Sequence, residues 1–99
     1  MIFEIAALRI KPGTQSAFEA AVVEAVPLFR RAKGCLSMRL EHSIEQAEGY
    51  RLVVGWETLD DHIVDFRGSA DFQEWRRLVG GYFVAPPEVE HMNTVVTGF

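Results

Sequence analysis

Residues 35–57 hold two strand-like runs, CLSMRLEHSI and YRLVVGWE, separated only by the turn sequence EQAEG. A connection this short leaves an antiparallel hairpin as the natural pairing. In the first run Leu36, Met38, Leu40, His42 and Ile44 alternate with polar residues and with Cys35, the period-two pattern of a strand. Upstream, Ile2–Ile10 is almost continuously apolar, as in a strand covered on both faces. KPGT breaks that run. From about Thr14, Phe18, Ala21, Val22, Ala25 and Phe29 then recur at helical spacing. Pro27 removes a backbone donor inside this pattern, which predicts a kink or restart before Gly34 ends the helix.

Downstream of the hairpin, Thr58 followed by Leu59, Asp60 and Asp61 has the chemistry of a helix start. Leu59, His62, Ile63 and Phe66 fall on one helical face. RGS interrupts, Ser69 can cap a second short helix aligning Phe72, Trp75 and Val79, and Gly80-Gly81 stops it. After the loop YFVAPP, Val89–Thr97 reads as a last strand. The order is β-α-β-β-α-β with its second helix broken, an α+β, ferredoxin-like sandwich with helices on one face of an antiparallel sheet. The other face stays uncovered. Ile2, Phe3, Ile5, Leu52, Val53, Val54, Val95 and Val96 supply apolar side chains to the sheet, which predicts a homodimer packed sheet to sheet about a two-fold axis.

With 99 residues the chain fills one hydrophobic core, so residues 1–99 are expected to be a single domain. No apolar run approaches the roughly 20 residues of a membrane span, and MIFEIAALRIKPG reads as a strand instead of a signal peptide. The expectation is a cytoplasmic protein with no membrane partner. Cys35, the single cysteine, excludes an intrachain disulfide and a multi-cysteine zinc site, and reads as a small buried thiol. A net charge of −4 without a basic patch disfavours nucleic acid.

Several stretches together resemble the antibiotic biosynthesis monooxygenase domain, a dimeric α+β barrel family, along nearly the whole chain. They are the first strand ending in KPG, FEAAVVEAVPLFRRAKGCLS, YRLVVGWE, WETLDDH, FRGSADFQEW and PPEVEH. The resemblance implies cofactor-independent oxygenation of phenols or quinols, haem degradation, or small-molecule isomerisation or binding in signal processing. The haem-degrading branch carries an Asn, a Trp and a His at places that fall here on Ala7, Phe66 and Arg76. Without an axial histidine, a haem-degrading role is not expected, and no cofactor is called for.

Among titratable groups His62 stands out, because it shares its helical face with residues that must point at the sheet. A neutral imidazole there suits removal of a phenolic proton near neutral pH, and it suits equally a core histidine bonded to a backbone carbonyl or Glu57. Trp56, Phe66, Phe72, Trp75 and Tyr82, with Phe83, form an aromatic group that can stack a flat ligand and exclude water, or simply be the core. Arg9, Arg39 and Arg51 can hold an oxyanion or pair with Glu4, Glu41, Glu45 or Glu57. Asp60, Asp61 and Asp65 fit helix-dipole and solvation roles better than a metal site. His91 and Asn93 share one face of the last strand, offering a second base and an amide donor or an interface hydrogen bond. No phosphate-binding loop or nucleophilic serine or cysteine motif is present.

The leading expectation is a cofactor-independent monooxygenase acting on a small aromatic phenol or quinol, with His62 as catalytic base and Trp56, Phe66, Phe72, Trp75 and Tyr82 binding the ring. The competing expectations are a non-catalytic small-molecule-binding or stress-related dimeric barrel, and an accessory dimer with no cavity.

Overall fold

In a computed structural model covering Met1–Phe99, the four strands make one antiparallel sheet in the order β2-β3-β1-β4. They are β1 (Ile2–Arg9), β2 (Cys35–His42), β3 (Gly49–Trp56) and β4 (Glu88–Met92). Helix α1 (Gln15–Arg30) joins β1 to β2, and a π-helical turn (Asp61–Phe66) followed by α2 (Ala70–Val79) joins β3 to β4. This is the ferredoxin-like α+β arrangement. It places β1 in the sheet interior, between β3 and β4, with Glu4 opposite Val54 on one side and His91 on the other.

The pleat divides the sheet residues by face. Ala6, Leu8 and Ile10 of β1 and its extension join Tyr50, Leu52, Val54 and Trp56 of β3 under the helices, where Phe18, Val22, Ala25 and Phe29 of α1 and Trp75 and Val79 of α2 close the core. Phe3, Ile5 and Val53 lie on the opposite, uncovered face. Phe3 and Ile5 are half-buried instead of enclosed, so β1 is covered on one face, not on both. No helix is long and apolar enough to cross a membrane.

Several local expectations change. Helix α1 runs through Pro27 without a restart. Both Pro27 and Val23, whose carbonyl loses its amide partner, are exposed, so water can take that acceptor. In β2 a register shift between Cys35 and Ser37 inserts Leu36 as an extra residue. The bulge turns Cys35 toward the core and leaves Leu36 53% exposed, while Ile44 lies beyond the strand in solvent. Strand β4 ends at Met92, so Asn93 is outside it, and Val95 and Val96 stand exposed in the segment beyond.

The helical connection after β3 begins as the sequence predicts. Asp61 N–H donates to Thr58 Oγ1 (3.1 Å) and Thr58 N–H to Asp61 Oδ2 (3.3 Å), a reciprocal capping box with Asp in place of Glu. The turn after this cap is wider than an α-helix: Arg67 N–H reaches back to the carbonyl of His62, five residues away, at 3.0 Å. This wider turn buries Asp61, His62 and Phe66 and leaves Leu59 42% exposed, so Leu59 leaves the sheet-facing set. Ser69 then caps α2, accepting from Phe72 N–H at 3.1 Å and donating to Phe66 O at 2.6 Å.

Candidate functional site

Only three acidic or imidazole side chains are buried: Glu4, Asp61 and His62. Asp61 is accounted for by its cap and by Lys33 at 3.9 Å. Glu4 and His62 belong together. Glu4 enters the helix-covered side of β1, His62 comes down from the π-helical turn, and His91 enters from β4, whose register sets it opposite Glu4.

The three form a continuous chain of polar contacts. Trp56 Nε1–H donates to Glu4 Oε1 at 3.1 Å, His62 Nε2 stands 3.2 Å from the same oxygen, and His62 Nδ1 hydrogen-bonds His91 Nε2 at 2.8 Å. A neutral imidazole has one donor and one acceptor nitrogen. With Glu4 ionised, His62 therefore gives its Nε2 hydrogen to the carboxylate and accepts His91's hydrogen at Nδ1. The indole of Trp56 lies nearly parallel to the His62 ring, centroids 5.2 Å apart, and fixes its plane. His62 is 2% exposed, whereas His91 is half-buried, so the chain runs from the interior toward solvent.

Burial sets the protonation of each group. It pushes the Glu4 carboxyl up to about 7, against the opposing pull of the Trp56 hydrogen bond and the Arg67 charge. The same desolvation, reinforced by the charges of Arg67 and His91, lowers His62 to about 4. His91 is lowered too, by burial first and Arg67 second. Near neutral pH the imidazole of His62 is uncharged, and Glu4 is the group that exchanges a proton.

Glu4 and His62 border a cavity of about 950 Å³ between the sheet and α2. Ala6, Leu8 and Leu52 make its floor, Phe72, Trp75 and Val79 one wall, and Phe83 to Pro87 with Val89 the other. Of the aromatic residues singled out from the sequence, Phe72, Trp75 and Phe83 line this space. Trp56 and Phe66 are core residues behind it: Trp56 acts on the site through its indole N–H, and Phe66 packs on Phe29 and Phe72. Tyr82 turns away and packs against Phe18, with centroids 6.0 Å apart. Arg39 pairs with Glu41 at 2.7 Å on the exposed surface, and Arg9 and Arg51 are outside the cavity.

The sequence pattern points to His62 and gives Glu4 only as an ion-pair partner, whereas the structure adds Glu4 and Arg67 to the site. The signal for Glu4 was its position as a lone acid inside the apolar run IFEIAALRI, at the parity of Ala6 and Leu8. A carboxyl on that parity has to enter the core side of the sheet.

Comparison with known proteins agrees with the fold and extends it. The domain model for antibiotic biosynthesis monooxygenase matches residues 1–78. A Bacillus subtilis (strain 168) protein of uncharacterized function, YczJ, is 40% identical over 95 residues, 96% of this chain and 100% of its own. A solved structure of a candidate antibiotic biosynthesis monooxygenase from Bordetella bronchiseptica superposes with a TM-score of 0.94 at 55% identity, covering 96% of this chain and 97% of that one. Another candidate monooxygenase, from Nitrosomonas europaea, shares the fold at a TM-score of 0.82 with 17% identity, over 95% of this chain and 89% of its own. With a match across most of its length, the chain belongs to the antibiotic biosynthesis monooxygenase family.

Proposed function

We propose that this chain is a cofactor-independent monooxygenase of small aromatic phenols or quinols, with the Glu4–His62–His91 chain as its proton acceptor. The observation that carries this reading is a carboxyl raised to about 7 at the edge of an apolar cavity, in contact with a neutral imidazole that leads outward to a second one. A base poised near the operating pH is what removal of a phenolic proton requires. His62, the base expected from the sequence, becomes the middle member: once Glu4 holds the substrate's proton, His62 accepts at Nε2 and, in the other tautomer, gives its Nδ1 hydrogen to His91. The ring lies on Phe72 and Trp75, and the apolar walls of this half-open cavity limit the water that reaches the anion. The electron-rich anion is the reductant: it adds oxygen at carbon to give a peroxide anion, which takes the abstracted proton back from Glu4 as a hydroperoxide and then loses water, with the hydrogen on that carbon, to leave a quinone.

A second copy of the chain on the uncovered sheet face, where Phe3, Ile5, Val53 and Met92 gather, belongs to the same reading. So does a cytoplasmic setting, in which the free thiol of Cys35 stays reduced.

Oxygen uptake with anthrones and naphthoquinols tests the activity. Uptake is expected to depend on the protein and to fall about a hundredfold in His62→Ala that retains its fold by circular dichroism. Unchanged uptake in that variant would remove the imidazole from proton transfer. Binding of these compounds without uptake would make the chain a non-catalytic small-molecule-binding member of its family.

A further inference from the structure

The charged side chains lining the cavity are unlike those of the molecule as a whole. The chain carries a net charge of −4, yet its cavity is bordered by Arg67, Arg76 and Arg77 against a single acid, Glu4. Arg77 is matched by Glu74 on α2. Arg67 and Arg76 have no carboxylate in ion-pair range, although Arg31, Lys33 and Arg39 form ion pairs elsewhere in the molecule. Arg76 holds its guanidinium 6.0 Å from the centroid of Phe72, one of the aromatic walls. Arg67 comes directly after the π-helical turn, and its charge is felt at Glu4, His62 and His91 alike. An apolar, aromatic-walled space whose only surplus charge is positive is complementary to a flat ligand with an anionic substituent.

We infer that the cavity selects an aromatic hydroxy acid, a phenol or quinol bearing a carboxylate, with Arg67 and Arg76 taking the carboxylate at the rim while the hydroxyl points to Glu4 and His62. This rests on the phenol or quinol reading of the same cavity and adds the substrate's charge to it. Arginine suits the role because its planar fork matches a carboxylate in two hydrogen bonds and its charge does not titrate. The residues also divide the work: the acid group is bound where solvent reaches, and the reacting hydroxyl where it does not.

The test is calorimetric titration of the protein with two ring-matched probes, 6-hydroxy-2-naphthoate and 2-naphthol. The acid is expected to bind roughly tenfold more tightly at low ionic strength, a preference that shrinks as salt is added. In the double variant Arg67→Gln/Arg76→Gln the two affinities are expected to converge within about twofold. Equal binding of both probes by the parent would overturn the inferred acid selectivity and leave the phenol reading standing. Acid preference that survives in the double variant would overturn the assignment to these arginines. Binding of neither probe would overturn the selectivity together with the cavity's role as a phenol site.

Discussion

Glu4 and His62 respond to burial in opposite directions, and the consequence is a stability that hides its own pH dependence. Glu4 holds its proton more tightly in the folded chain, at about 7 against an ordinary 4.5, so its contribution is complete below 4.5 and is lost as pH rises through 7. His62 is the reverse. Folded at about 4 against an ordinary 6.5, it contributes fully above 6.5 and loses that contribution as pH falls through 4. Between these limits the two slopes oppose each other. Glu4→Gln keeps the shape and an acceptor for Trp56 but removes one slope, so its unfolding free energy is expected to drop by about 2 kcal/mol from pH 7.5 to pH 5. The parent is expected to change by less than about half as much, and urea unfolding at the two pH values reads the difference. An equally flat profile in the variant would mean that His62 is not held neutral. His62 was legible in the sequence because helical spacing set it on a buried face. For Glu4 the parity with Ala6 and Leu8 marks the core side of the sheet, but its partners were not legible, because only strand register brings residue 91 alongside.

At the level of elements, the site depends on the π-helical turn that aims His62, and that turn is anchored at Gly34. Gly34 adopts φ 75°, and a β-carbon on it would lie 2.0 Å from Asp61 Oδ2. Its carbonyl accepts Glu57 N–H at 2.8 Å, so the end of α1, the end of β3 and the capping box meet at one residue. Gly34→Ala has to strain the backbone and displace Asp61, with an expected loss of about 2 kcal/mol or more in chemical unfolding. Retention of full stability would show that Asp61 can move aside freely. The cap at Thr58, the Ser69 start and the hairpin were readable because each depends on side chains within a few residues. The bulge at Leu36, the wider turn after Asp60 and the early end of β4 were not, since each is decided by what packs across from it. The alternation through Leu36 points to one face, but pairing of Cys35 with Trp56 overrides it.

For the molecule as a whole, the order of elements was plain from the alternation of strand and helix periodicities, and the uncovered face came from having two helical connections on one side. The apolar residues of that face, Phe3, Ile5 and Val53, are rimmed by Arg39, Glu41, Arg51, Glu88 and Glu90, a surface suited to a second copy with matched charges. Light scattering is expected to give the mass of a dimer for the parent and of a monomer for Ile5→Glu, whose new charge would stand at the centre of the seam. A parent monomer would leave the face for solvent or another partner. The strand order has a further effect on how this protein is made. Glu4 sits on β1, whereas its polar neighbours arrive later, with Trp56, His62 and, 87 residues after it, His91. On the ribosome, β1 can pair with β3 while its other edge still waits for β4 to emerge. The Glu4–His62–His91 contacts are therefore complete only once residue 91 has emerged, and a nascent chain stalled before residue 88 would hold Glu4 against Trp56 and His62 with one edge of β1 unpaired.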